Sequence, residues 1–323
     1  MSLLAAVAMA AAIQSGVALP IIQTEIEAPG PHGPLRGTLL SPAPPSAPMV
    51  LIVPGSGATD RNGDGPGGLQ TSMYRLLAKG LLEHGIASVR IDKRGQFGSA
   101  SAVPDGNDVT IEEYASDVHA WIKVIQKRTA VSCVWILGHS EGGLVALKAA
   151  QDSTDICGLI LVATAGRPVG KLLREQLQAN PANAPLLPNA MSVLESLEAG
   201  QTVDATRIDR HLLPLFGPQV QRFLMSELTL DPATLLAGYA KPVLIVQGMR
   251  DLQVTPEDAR LLKHADPSAK LVLVADAAHT LKAVHSEDRN ENLATYTNPN
   301  LPLAENVMEA ITTFLQQSKT DGR

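Results

Sequence analysis

Clusters of basic residues are missing from this 323-residue chain, and a class of partners goes with them. The formal net charge is -6 and no run of Lys or Arg occurs. Phosphate backbones are held by clustered cations, so a nucleic-acid partner is not expected. Aromatic residues make up 3%, too few for base-stacking platforms. Charged residues make up only 18%, which argues against long solvated helices and disordered tails. Cysteine is scarce: Cys133 and Cys157 lie in no C-x-x-C, so a zinc site built on them is not expected. Each opens an apolar run that reads as a strand. A disulfide is geometrically possible if those strands are neighbours. Two buried free thiols, acting as small core residues, is the preferred reading.

Long hydrophobic runs are also absent. The nearest is Leu3 to Ile13, too short to span a bilayer, so stable membrane insertion is not expected. That stretch suits a signal-peptide core, and Gly16-Val17-Ala18 offers small residues for cleavage. The basic flank is missing, because no Lys or Arg precedes Arg36. The expectation is a signal peptide over residues 1–19 and a periplasmic or secreted protein. The alternative is an N-terminal helical extension on a cytoplasmic one.

Hydrophobic residues make up 45%, enough for a full core. Two opening strands are expected within 21–40, turning at Pro29-Gly30-Pro31. A Pro-rich loop, SPAPPSAP, fills 41–48. Short continuous apolar runs follow at 49–55, 85–92, 131–138, 157–165, 242–248 and 270–276, as in strands buried on both faces. Helical patterns over 69–84, 111–127, 141–152, 256–265 and 302–317 lie between or after them. Strands alternating with helices imply a mostly parallel sheet covered on both faces. The rhythm breaks over 167–238, which is Leu- and Pro-rich without a clear strand. This reads as a helical cap inserted into a core of residues 20–166 and 239–323. The Leu and Met residues of 172–225 read as cap core.

VWILGHSEGG carries the first chemistry. Gly138-His139-Ser140-Glu141-Gly142 fits G-x-S-x-G between an apolar run and a helix, the setting of a nucleophile elbow. A serine hydroxyl needs a base to take its proton. His279 stands just past the last strand, in KLVLVADAAHTLK, and Asp251 just past the preceding one, in VLIVQGMRDLQV. The order Ser140, Asp251, His279 suits a triad of this kind. ATAGRP, after the strand over 157–165, holds no acid that could replace Asp251; Asp276 reads as a loop residue. The Glu141 N–H is one oxyanion donor. The Ser56 N–H, in Pro54-Gly55-Ser56-Gly57, is the preferred second, with Gly57 next.

Together these features resemble an α/β-hydrolase over residues 35–317. The chain is similar to bacterial serine esterases with a G-S-G-x-T-D-R-x-G loop, a D-K-R-G strand end and a G-H-S-E-G-G elbow. Here these are Gly55 to Gly63, Asp92-Lys93-Arg94-Gly95, and Gly138 to Gly143. The resemblance implies carboxylesterase activity on small acyl esters, without a cofactor.

Several residues admit rival readings. Asp60-Arg61-Asn62-Gly63-Asp64-Gly65 opens like a calcium loop, but Thr71 stands where the bidentate Glu should be, so no metal is expected. Asp60 and Arg61 either shape the oxyanion loop or touch substrate. Arg94 reads as loop-shaping. Glu141 could tune His279, meet a substrate amine, or simply suit a helix N-terminus. His139 reads as a packed turn residue. His285 reads as a surface or cap contact. His32, His84, His119, His211 and His264 have no acid or His partner at metal-ligand spacing and read as surface residues. The functional expectation is a serine-dependent hydrolase of small-molecule carboxylic esters. A peptidase, thioesterase or acyltransferase with the same triad is the alternative, and a non-catalytic hydrolase-fold binding protein the third reading. Oligomeric state is not legible.

Overall fold

The computed structural model describes residues 21–43, 48–151 and 153–320. The expected signal peptide and part of the Pro-rich loop lie outside these residues.

Eight strands form one sheet: β1 (Ile21–Ala28), β2 (Leu35–Pro42), β3 (Met49–Val53), β4 (Ala87–Ile91), β5 (Val134–His139), β6 (Ile156–Val162), β7 (Val243–Gly248) and β8 (Lys270–Val274). Their spatial order is β1-β2-β4-β3-β5-β6-β7-β8. β1 pairs antiparallel with β2, and β2 with β4; the rest is parallel. The continuous apolar runs have their cause here, because β3, β4, β5 and β7 are buried along their whole length. β2 runs on through Ser41-Pro42, where a loop was expected; at the strand's end a proline costs little pairing.

Helices cover both faces. One face carries α1 (Met73–Glu83) and the C-terminal helix, here α11 (Glu305–Thr320). The other carries α2 (Ile111–Thr129) and α3 (Glu141–Ala149). α2 begins at Thr110, whose hydroxyl accepts the Glu113 N–H at 3.2 Å. It buries Tyr114, Val118, Trp121, Ile122 and Ile125 on one face. Each such large apolar side chain contributes about 1.5–3 kcal/mol on leaving water.

Between β6 and β7 the chain builds the expected helical insertion: α4 (Val169–Ala179), α5 (Leu187–Glu198), α6 (Leu213–Phe216), α7 (Pro218–Leu228) and α8 (Pro232–Ala237). It has its own apolar cluster around Leu194, Leu197, Phe216 and Leu224. α7 docks on the core. Arg222 pairs with Asp108 at 3.1 Å and Glu113 at 3.0 Å, and the Ser226 hydroxyl accepts the Ile111 N–H at 3.1 Å. After β7 come α9 (Pro256–Ala265) and a short α10 (Arg289–Ala294), which no periodicity announced.

The preferred reading of the cysteines is corrected. Cys133 and Cys157 form a disulfide, with Cα atoms 5.1 Å apart, and both are half-buried. Parallel pairing of β5 with β6 starts at Val134 and Ile156, which brings the flanking cysteines side by side. The register does more at the other end of the sheet. Val53 pairs with Gly138, and Gly248 with Val274. The loop after β3 therefore leaves the sheet level with the turn after β5, and the loops after β7 and β8 leave together.

Candidate active site

Ser140 caps α3 with φ 54° and ψ -122°, a backbone conformation that non-glycine residues rarely adopt. Its neighbours explain the flanking glycines. A Cβ on Gly138 would collide with the Gly142 carbonyl, and one on Gly142 with the Val53 carbonyl. β5, β3 and α3 are packed too closely for side chains there. The strained turn presents Ser140 to a cavity of about 480 Å³ between core and cap, which Ser56, Gly57 and Glu141 also line.

Asp251 and His279 meet next to the elbow, where the His279 ring lies 4.8 Å from that of His139. The Asp251 Oδ2 accepts from His279 Nδ1 at 2.8 Å, and both residues are buried. Asp251 is held by its own turn: Oδ1 accepts the N–H groups of Gln253 (2.8 Å) and Val254 (3.0 Å), and Oδ2 accepts from Gln247 Nε2 at 3.2 Å. Burial alone would raise this carboxyl. The His279 ring and these donors outweigh it and hold Asp251 below its ordinary value. An ionised Asp251 fixes the tautomer that leaves His279 Nε2 free to act as a base.

His139 is the packed turn residue expected, and it carries more. Its Nε2 lies 2.9 Å from the His279 carbonyl oxygen, and its Nδ1 lies 3.0 Å from the Tyr74 hydroxyl. A carbonyl only accepts, so Nε2 bears the proton and Nδ1 accepts from Tyr74. The Tyr74 oxygen in turn accepts the Gly55 N–H at 2.8 Å. One directed chain thus ties the loop after β3 to the elbow and to the His279 loop. Burial, then the neighbouring His279 ring, push His139 down to about 3, so it stays neutral. Burial raises the Tyr74 phenol far above its ordinary range. Tyr74 went unnoticed in the sequence because it lies within the apolar face of α1.

The Gly55 N–H is thus engaged, while Ser56, Gly57 and Glu141, the other candidate oxyanion donors, line the cavity. A helix's first N–H groups lack intrahelical acceptors. Lys93 braces both sides, donating to the Gly55 carbonyl at 2.7 Å and to Glu141 Oε1 at 3.1 Å. Burial would depress the Lys93 ammonium; Glu141 outweighs that and holds it above its ordinary value.

The remaining loop residues shape the site from outside the cavity. Asp60 Oδ1 accepts the N–H groups of Asn62, Gly63 and Asp64 at 2.7–3.0 Å. Its carboxylate is thus turned into the loop's own backbone. Arg61 donates through its N–H and Nε to Asp92, at 2.8 and 3.0 Å. Arg94 grips Asp117 through two bonds, 2.6 and 2.8 Å long, and the Glu113 carbonyl at 3.0 Å. Gly57 takes a positive φ of 76° at the cavity rim. Among the described residues, no group of three or more His, Cys, Asp and Glu could hold a metal.

Three readings need amendment. Leu172, Leu173, Leu215 and Leu224 line the cavity, so the cap's apolar residues form its roof as well as the cap interior. His211 has an acid partner, Asp209 at 2.9 Å, at the exposed surface. His119 is half-buried rather than exposed. His285 is exposed, as expected.

A mostly parallel eight-stranded sheet, helices on both faces, a strained serine after β5 and a buried Asp–His pair beyond β7 and β8 define an α/β-hydrolase. The chain belongs to the family described as serine aminopeptidase, S33 (Hydrolase_4), which matches residues 67–283. It is similar to Esterase EstD of Thermotoga maritima, 28% identical over 239 residues, which cover 72% of this chain and 54% of EstD. It is similar also to Lipase 3 of a Moraxella species, 24% identical over 194 residues, covering 57% and 60%. The chain thus spans about half the length of these curated relatives. Among solved structures, Est1E from Butyrivibrio proteoclasticus superposes with a TM-score of 0.56 at 19% identity, covering 92% of this chain and 99% of that one. The Pyrococcus furiosus esterase Pf2001 gives 0.56 at 17%, covering 92% and 93%. At these identities the structures speak for the fold. No helix among the described residues is long and apolar enough to cross a membrane.

Proposed function

We propose that this chain is a serine-dependent carboxylic ester hydrolase acting through an acyl-enzyme. Ser140 Oγ attacks the ester carbonyl carbon while His279 Nε2 takes the hydroxyl proton. Asp251 keeps His279 oriented and stabilises the imidazolium. The N–H groups of Ser56 and Glu141 hold the oxyanion. The C–O bond to the alcohol breaks as His279 returns the proton to it. Water, deprotonated by His279, then releases the acid and frees Ser140.

The observation that carries this reading is the buried 2.8 Å Asp251–His279 bond beside a strained serine that opens into a roofed cavity. The curated relatives, an esterase and a lipase by name, favour esters. The family description favours the peptidase alternative. The half-buried disulfide and the apolar N-terminal stretch support a periplasmic or secreted location. N-terminal sequencing of protein from its native cell tests that location: an intact Met1 or Ser2 start rejects cleavage.

The deciding experiment is hydrolysis of p-nitrophenyl esters from acetate to palmitate, with Ser140→Ala alongside. The expected outcome is turnover that the variant loses by about 10⁴-fold or more, together with loss of fluorophosphonate labelling. Labelling that survives in Ser140→Ala rejects the nucleophile. Absence of ester turnover with a reactive serine shifts the assignment to peptidase, thioesterase or transferase.

A further inference from the structure

The cavity beside Ser140 contains an acid that the hydrolytic cycle does not use. Glu227, near the C-terminal end of α7, lines the cavity together with Ser140, Glu141, Lys93 and Tyr114. It is 8% exposed. Among the described residues its carboxylate has no hydrogen-bond partner. The one cation nearby, Lys93, is committed to Glu141 and to the Gly55 carbonyl. Tyr114 also lines the cavity, and its hydroxyl is likewise without a hydrogen-bond partner among the described residues.

A polar group that borders a cavity without a protein partner is left to water or to a ligand for its hydrogen bond. Desolvation and the neighbouring Glu141 push the Glu227 carboxyl up to about 8, the sign of a group short of partners. Such a group recovers its bond when a ligand supplies the missing half. Sites built this way discriminate strongly against analogues that lack the polar group.

We propose that Glu227 is a specificity-determining residue whose carboxyl group forms a hydrogen bond with a hydroxyl group on the substrate. This deepens the esterase reading and rests on it. The surroundings select the chemical class. A substrate carboxylate would meet the Glu141 carboxylate, and a Glu227 that holds its proton offers it no counter-charge. A substrate ammonium would meet the Lys93 ammonium, already seated against Glu141 and over the Tyr114 ring at 5.2 Å. An uncharged donor meets neither repulsion. The rest of the lining is mostly apolar, with Leu144, Leu172, Phe223 and Leu224 among it; Arg167 also lines the cavity but is committed to Asp258 and Glu175. The preferred ester is therefore amphiphilic: an apolar body with one hydroxyl placed to reach Glu227.

The test compares matched esters on the wild type, Glu227→Gln and Glu227→Leu. The pairs are p-nitrophenyl butanoate with its β-hydroxy analogue, p-nitrophenyl phenylpropanoate with its para-hydroxy analogue, and propyl butanoate with hydroxyethyl butanoate. A p-nitrophenyl ε-aminohexanoate against hexanoate arm probes cations. The readout is the ratio of kcat/KM within a pair, which cancels any loss of folded protein. We expect at least one hydroxylated ester to be favoured about tenfold or more by the wild type. The ratio falls to near one in Glu227→Leu and partly survives in Glu227→Gln, whose amide carbonyl still accepts. Should Glu227→Leu fail to fold, Glu227→Gln decides alone. Ester turnover without a hydroxyl preference, or a preference that neither substitution alters, overturns the inference and leaves the esterase reading standing. A Glu227-dependent preference for the ammonium ester overturns the choice of an uncharged donor. Absence of turnover for every ester overturns the esterase reading and this inference with it.

Discussion

Gln221 and Glu227 lie less than two turns apart on α7, and both are buried. Gln221 faces the cap interior, where its amide accepts the Val203 N–H at 2.9 Å and donates to the carbonyls of Val203 and Phe216 at 2.8 and 2.9 Å. Glu227 faces the cavity, where its carboxylate has no such partner. The core around the elbow behaves like Gln221. Gly55, Tyr74, His139, Lys93 and Asp251 all sit in closed hydrogen-bond chains. The core thus supplies groups fixed before any ligand arrives, as electrostatic stabilisation requires. The cap supplies a group that a ligand must complete, which suits discrimination better than catalysis.

The largest effect expected from breaking the fixed side is at Asp251. Asp251→Asn keeps the shape but lets the amide donate to His279 Nδ1, which turns the tautomer around. kcat should fall by roughly 10³–10⁴-fold in steady-state assays. A fall of less than tenfold would remove Asp251 from the proposed triad. Tyr74→Phe comes next. It strands the Gly55 N–H and His139 Nδ1 without adding volume. We expect kcat to fall about tenfold and stability to drop by about 1–3 kcal/mol in urea melts. Unchanged kcat would mean that the relay holds the fold but not the oxyanion loop.

The smallest effect belongs to the cap. Glu227 binds its proton more tightly in the folded chain than in the unfolded one. Its contribution therefore favours the fold below its ordinary value of 4.5 and is lost progressively as pH rises to about 8. Glu227→Gln removes that loss. Lys93, Glu141 and Tyr114 face the same group and remain. The variant's Tm should exceed the wild type's by about 2–4 °C at pH 9 and by less at pH 6. An equal gain at both pH values would show that the carboxyl is not the cause.

The fold was largely legible because continuous apolar runs bounded by Gly and Pro are what strands buried on both faces require. The places of Ser140, Asp251 and His279 past strand ends were legible because each follows such a run. Asp60, Arg61 and Arg94 could be placed near the site, but their partners could not, since Asp92 and Asp117 reach them only across the fold. Tyr74 lay hidden in an amphipathic pattern that any core tyrosine would give. Glu227, in QRFLMSEL, reads as the polar side of a cap helix. Only the docking of α7 on the core through Arg222 and Ser226 turns that position inward. The cysteine pairing depended on the order of β5 and β6, which spacing does not reveal.

The disulfide also closes a ring. Its two half-cystines are 24 residues apart, and Ser140 lies between them. The proposed nucleophile, its elbow and α3 therefore sit on a covalent macrocycle whose clasp is at the far end of the sheet. Cleavage at Lys148, the only Lys or Arg inside the ring, would not separate the two sides. A tryptic peptide bearing a fluorophosphonate adduct on Ser140 should run joined to the Cys157 peptide until it is reduced. Its mass shift on reduction would report whether the clasp was closed, and fragmentation of the released peptide would tell Ser140 from Ser132.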